Sequence, residues 1–176
     1  MDTIGQRPSW EVYYTTMAFI VAQRSFDPNT KHGAIIVSKD GRVLSTGYNG
    51  PIKHSIDKEI PLTRPAKYAA LLHAEENAIL AYNGSYQDIV GATIYVTGRP
   101  CHKCLRMIMQ KGIVKIVYAP TVSKVIDQAD MDAQSIMLRH HPEVKLIEIP
   151  NNVDMQLLLR KADEHIERKT KETKNY

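Results

Sequence analysis

The chain has 176 residues, 43% hydrophobic and 24% charged, ordinary usage for a globular protein and enough to bury the core of one domain. Its net charge is +4, from 23 Lys and Arg against 19 Asp and Glu; so mild an excess suits a small anionic substrate and points away from a nucleic-acid partner. Apolar runs such as Ala69-Ala70-Leu71-Leu72 are too short to span a membrane, and Met1 to Gly5 lacks the basic-then-apolar pattern of a signal peptide, so no membrane partner is expected and the cytoplasm is the default location.

Ser9 is placed to cap a first helix, in which Trp10, Tyr13, Tyr14, Met17, Ala18 and Val21 recur at helical spacing and are expected to face the core together. Asp27-Pro28-Asn29 breaks that helix. Gly33 to Val37 reads as a buried strand, Lys39-Asp40-Gly41 as a hairpin turn, and Arg42 to Gly47 as the returning strand. Asn49 to Pro65 is polar, carries Pro51, Pro61 and Pro65, and is expected to be a long loop of the kind that carries function. Leu71 to Ala81 reads as a helix ended by Asn83-Gly84. A strand at Ala92 to Val96, a helix at Cys101 to Lys111 and a strand at Val114 to Tyr118 follow. The last elements are a helix around Met131 to Arg139, a strand at Val144 to Ile149 and a helix from Val153 to about Arg168. The apolar positions of that last helix, Val153, Leu157, Ala162 and Ile166, are thin, so its end is expected to fray, while Arg160 to Lys174 mixes six Lys/Arg with four Asp/Glu as a solvated face does. Alternation of helix and strand after Leu71 implies parallel strands with helical crossovers, and the opening hairpin adds antiparallel ones. The fold class expected is α/β, a three-layer α/β/α sandwich around a mixed five-stranded sheet. One domain is expected over residues 1–176, with its core at about 9–150 and a helical C-terminal extension at 151–176.

Cys101 and Cys104 are the two cysteines of the chain. Alone, their C-x-x-C leaves metal-binding and redox readings open. His73-Ala74-Glu75, also at a predicted helix start, tips the balance. A catalytic zinc takes three protein ligands and keeps one position open, and His73, Cys101 and Cys104 supply an imidazole and two thiolates. A helix N-terminus favours the thiolate form, the i, i+3 spacing turns both sulfurs toward one point, and Pro100 suits a helix entrance. Glu75 is not needed as a ligand and is left to carry protons between water and substrate. Glu76 is assigned no role. A closed structural site would want a fourth Cys or His, and His102 points elsewhere on its turn.

H-x-E followed by P-C-x-x-C is the signature of the zinc nucleobase deaminases. Arg24-Ser25-Phe26-Asp27-Pro28-Asn29-Thr30, Gly33 to Val37, Gly47-Tyr48-Asn49-Gly50, Lys67-Tyr68, His73 to Ile79, Ile94 to Thr97 with Pro100-Cys101, and Val117-Tyr118 extend the resemblance. From about Trp10 to Ile149 the chain resembles the cytidine and deoxycytidylate deaminase family. The resemblance implies the cytidine deaminase-like fold, a zinc cofactor, and hydrolysis of deoxycytidylate to deoxyuridylate and ammonia, a supply of pyrimidine nucleotide for thymidylate synthesis. Deamination of another cytosine nucleotide or nucleoside, or an inactive zinc-binding relative, are the alternatives. It further implies that Asn49 contacts the sugar or base, that Tyr118 lines the pocket and that Arg24 meets the phosphate. Arg24, Lys53, Arg64, Lys67 and Arg99 supply positive potential near the pocket-forming loops. Nucleoside triphosphate effectors acting through the loop Pro51 to Pro61, and a homo-oligomer, dimer or hexamer, are implied as well. Glu76, Lys103 and Leu105 depart from the residues most members carry there.

Overall fold

The computed structural model describes residues 7–63, 65–120, 127–150 and 152–173. Among them, α1 (Trp10–Ala22) leads into β1 (Gly33–Val37) and β2 (Val43–Tyr48). A 3-10 turn at Asp57–Glu59 and α2 (Ala66–Ala70) precede α3 (Ala74–Ala81) and α4 (Tyr86–Ile89). Then come β3 (Thr93–Val96), α5 (His102–Gln110), β4 (Lys115–Tyr118), α6 (Gln128–His140), β5 (Lys145–Glu148) and α7 (Val153–Thr173). The strands form one sheet in the order β2-β1-β3-β4-β5. β1 is antiparallel to both neighbours, whereas β3, β4 and β5 are parallel, as the alternation of elements requires.

Every residue of β1 is buried, which fits a central strand covered on both faces. Successive side chains point to opposite faces of the sheet. Ile36, Ile94 and Ile116 therefore meet Ala74, Ala78 and Leu105 in one core. Ile35, Tyr95 and Val117 meet Tyr14, Ala18 and Met155 in the other. α3 and α5 lie on the first face with α6 beside α5, and α1 and α7 lie on the second. The result is the three-layer sandwich.

Several elements differ from the sequence expectation. α1 is rolled so that Val12, Tyr14, Thr15, Ala18 and Ala22 are buried, while Trp10 is 67% and Tyr13 39% exposed. The cause is a close approach: a Cβ on Gly33 would lie 2.0 Å from the Ala18 carbonyl oxygen. Small residues must face the strand there, so the aromatic rings go to the rim, where Trp10 stacks on Tyr14. α3 begins at Ala74 rather than Leu71, because Leu72 and Gly50 exchange backbone hydrogen bonds of 2.9 and 3.2 Å that keep the chain extended. α2 and α4 stand where no helix is expected. α7 reaches Thr173 and is held by Met155 and Leu158; Val153, Leu157, Ala162 and Ile166 are exposed. Arg64 lies outside the described residues.

The helix that matters most for the site is seated by a glycine. A Cβ on Gly47 of β2 would lie 2.2 Å from the Ala78 nitrogen and 2.3 Å from the Ala74 oxygen, both backbone atoms of α3. Backbone cannot swing aside as a side-chain tip can, so α3 and β2 must separate. Gly47→Ala is expected to cost about 1–3 kcal/mol, the usual penalty of overpacking, read as a lowered urea midpoint with an unchanged slope. A wild-type midpoint would show that the helix is not seated there.

Candidate metal centre

β2 and β3 are each antiparallel to β1, so they run in the same direction and end at the same edge of the sheet. Each leads, directly or through a loop, to a helix on the same face. His73 is the N-cap of α3 and Cys101 the N-cap of α5, both extended, with φ/ψ of −73/161° and −73/167°. Their carbonyls accept the first helical hydrogen bonds, from Asn77 at 3.0 Å and Leu105 at 2.9 Å. An N-cap side chain projects across the mouth of its helix, so the imidazole and the first sulfur face one another. Cys104, one turn further on, is fully buried.

The three donors converge. His73 Nδ1 lies 3.7 Å from Cys101 Sγ and 3.3 Å from Cys104 Sγ, and all three ligand atoms lie within 4.8 Å of one another. A tetrahedral zinc with bonds of about 2.3 Å to sulfur and about 2.0 Å to nitrogen sets such donors about 3.5–3.8 Å apart. The residues fit that metal. The hydrogen bond from Cys104 pulls the Cys101 thiol down to about 3, against its burial and with help from His73. The same bond, with burial and the charge of Glu75, pushes the Cys104 thiol up.

The cluster opens on a cavity of about 70 Å³ whose lining includes His73, Glu75, Asn49, Asp27, Lys67 and Tyr68. Glu75 is only 6% exposed. Asn49 has its amide aimed by the backbone: Oδ1 accepts from the His32 N–H at 2.7 Å, and Nδ2 donates to the Thr30 carbonyl at 2.8 Å. Arg24 and Tyr118 are not brought to this lining. Arg24 lines a second cavity of about 750 Å³, with Lys53, His54 and Asn77. Tyr118 packs in the core, and its hydroxyl accepts from Arg99 at 3.3 Å.

Two further features stand outside the sequence expectation. Glu76 Oε2 accepts the His73 N–H at 2.7 Å, so the residue assigned no role anchors a ligand backbone. Its signal was present, since a carboxylate three residues after an N-cap is a capping pattern. Asp27, read only as part of a helix break, is fully buried and paired with Lys67. Burial pushes its carboxyl up, but hydrogen bonds from Lys67, Asn29 and Thr30 hold it below the usual range. No local pattern links residues 27 and 67.

Three protein donors with a coordination position to spare, beside a buried carboxylate, define a mononuclear metal centre of the open, catalytic kind. A family model described as the cytidine and deoxycytidylate deaminase zinc-binding region matches residues 8–120, and the chain belongs to that family, with zinc as its cofactor. Human deoxycytidylate deaminase is 37% identical over 115 residues, covering 62% of this chain and 64% of that protein; the chain thus spans just under two thirds of the length of that relative. A probable deoxycytidylate deaminase of Drosophila melanogaster is 32% identical over 159 residues, 80% of this chain and 76% of that one. The dCMP deaminase of the cyanophage S-TIM5, solved in complex with dCMP and dUMP, aligns with a TM-score of 0.60 at 26% identity, over 82% of this chain and 99% of that one.

Cys101→Ala and Cys104→Ala are each expected to lose the roughly one zinc per chain that three such donors hold, measured by elemental analysis of folded protein. Full zinc content in either variant would place the metal elsewhere.

Proposed function

We propose that this chain is a hydrolytic deaminase that converts dCMP and water to dUMP and ammonia. His73, Cys101 and Cys104 are its zinc ligands and Glu75 its proton carrier. The observation that carries the reading is the convergence of three metal donors, of which His73 lines a cavity together with Glu75. The named relatives and the cyanophage structure with dCMP and dUMP support the substrate. When bound there, the metal supplies Lewis-acid activation of water near neutral pH. Glu75, buried at the cavity wall, takes the proton from the attacking water and delivers it to the ring nitrogen. The water oxygen bonds to the amino-bearing carbon; Glu75 then takes the remaining proton of that oxygen and passes it to the amino group, which leaves as ammonia as the carbonyl forms. Asn49, with Oδ1 and one amide hydrogen already committed, keeps a second N–H for the sugar or base. Lys67, half of a buried ion pair, brings a lysine to the lining among the described residues, where it suits an anionic substrate.

The second cavity supports a separate role for the basic residues. Arg24, Lys53 and His54 line it together, a set suited to a polyphosphate. A nucleoside triphosphate effector is proposed there, and Arg24 is reassigned to it from the substrate phosphate. The reading includes a homo-oligomer, supported by the exposed Trp10, Val153 and Ile166. It also includes a cytoplasmic location, supported by free thiols at Cys101 and Cys104 that a reducing compartment keeps ready for metal. Among the described residues no helix is long and apolar enough to cross a membrane.

Glu75→Gln is expected to retain zinc and fold while turnover falls by at least about 10²–10⁴-fold, the range for losing a general acid–base. Near wild-type turnover would refute the proton-carrier role. In a substrate panel read by ammonia release, dCMP should exceed deoxycytidine by at least about tenfold in kcat/KM, since a charge-assisted contact to the phosphate contributes about 1.5–3 kcal/mol. Arg24→Ala should leave that preference intact and blunt the response to added dCTP or dTTP. Equal specificity for nucleotide and nucleoside would overturn the substrate assignment and leave the zinc chemistry standing.

A further inference from the structure

A helix start leaves its first N–H groups without intrahelical partners, and the common remedy is a Ser, Thr, Asp or Asn at the N-cap. α5 lacks that remedy. Its N-cap is Cys101, which accepts no capping hydrogen bond, and its sulfur belongs to the metal cluster. One of the free donors at its mouth, the N–H of the first helical residue, finds its acceptor on the first turn of α6. Asp130 Oδ1 accepts the His102 backbone N–H at 2.8 Å and also meets His102 Nδ1. Asp130 is 8% exposed, and its other oxygen accepts from Gln134 Nε2 at 2.5 Å.

The network continues to the other side of Cys101. Gln134, 1% exposed, donates from the same Nε2 to the Pro100 carbonyl at 3.1 Å. Its Oε1 accepts from Arg99 Nε at 3.2 Å and from Arg99 Nη2 at 3.1 Å. Arg99, Pro100 and His102, which flank Cys101, are thus tied to two side chains one turn apart on α6. Asp127, the N-cap of α6, accepts the Asp130 N–H at 2.8 Å and holds that turn in place.

We propose that Asp130 is a positioning residue for the metal centre: it caps α5 from a neighbouring helix and, through the His102 backbone and ring, sets the turn that carries the Cys101 and Cys104 sulfurs. A metal ligand occupies the N-cap of α5, and a carboxylate more than two dozen residues away meets the N–H of the first helical residue, a donor that an N-cap side chain, bonding to the second or third residue, does not serve. Hydrogen-bonded partners behind metal ligands commonly govern how firmly the metal is held. The proposal rests on the three-ligand zinc reading.

The test uses zinc-loaded full-length protein and two readouts that do not depend on turnover. One is the rate at which a chromogenic chelator captures the zinc; the other is the sulfur-to-cobalt charge-transfer band after cobalt replacement. Asp130→Ala should release zinc about 10–100-fold faster and shift the cobalt band. Asp130→Asn, which keeps an oxygen for the His102 N–H, should recover most of the difference. His102→Pro approaches from the other side. It removes both donors at the first helical position, where proline is well tolerated, and should also speed release; it decides the matter if Asp130→Ala does not fold. Met155→Ala, which loosens α7 on the far face of the sheet, should lower thermal stability and leave zinc release unchanged. Wild-type release and an unshifted cobalt band in folded Asp130→Ala or His102→Pro would overturn the proposal. So would equal acceleration in Met155→Ala. Wild-type protein that binds no zinc at all would instead refute the metal reading beneath it, and the proposal with it.

Discussion

Two of the three donors that can hold a metal ion, His73 and Cys101, serve as N-caps, and much of the molecule follows from that constraint. His73 and Cys101 face each other only because the mouths of α3 and α5 open at one edge of the sheet. The mouths open there because β2 and β3, on either side of β1, run in the same direction. If β3 ran the other way, its helix would begin at the far edge, a strand length from His73. The antiparallel hairpin and the parallel crossovers are therefore both needed. The helix dipoles add to the arrangement, since two positive ends favour the thiolate at the shared point.

Spending the cap positions on the metal leaves helix N–H groups to be satisfied otherwise, and buried polar groups without partners are costly. In α3 the N-cap residue's own N–H is met within the first turn, by Glu76. α5 has no carboxylate in its first turn and draws on Asp130 of α6. The difference has a spatial cause. α6 packs beside α5, so a neighbouring side chain can reach its mouth, and Gln134 one turn later secures the preceding loop. At the cavity wall, the buried Asp27–Lys67 pair joins the segment after α1 to α2. Such a pair is weak evidence for stability, because desolvation offsets much of its attraction; its value here is that it orients two lining segments.

Close packing carries the same geometry to the core. Gly33 and Gly47 let α1 and α3 approach the sheet to within backbone contact on opposite faces. With α3 seated directly on β2, His73 is placed by rigid backbone rather than by a flexible side chain, the condition a metal ligand needs for reproducible geometry. The long segment between β2 and α3, by contrast, shapes both cavities and meets the body through the Gly50–Leu72 bridge.

The sequence by itself determined the element types, the mixed sheet and the meeting of His73, Cys101 and Cys104. Periodicity, turn residues and the spacing of metal donors are local properties, and each is printed within a few residues. What only the tertiary structure decided depends on how elements lie against one another. Helical periodicity marks an apolar stripe on α1 but not its roll, so Trp10 and Tyr13 went to the rim when Gly33 demanded Ala18 and Ala22. The thin apolar pattern of α7 likewise left open which residues hold it, and Met155 and Leu158 pack inward. Arg24 and Asp27 are close in the chain, yet Arg24 lines one cavity while Asp27 lines the other and pairs with Lys67. The Asp130 contact to His102 bridges residues on separate helices and leaves no trace in composition or spacing. Its partners are neighbours only after α5 and α6 have packed, and that packing is a property of the folded sheet.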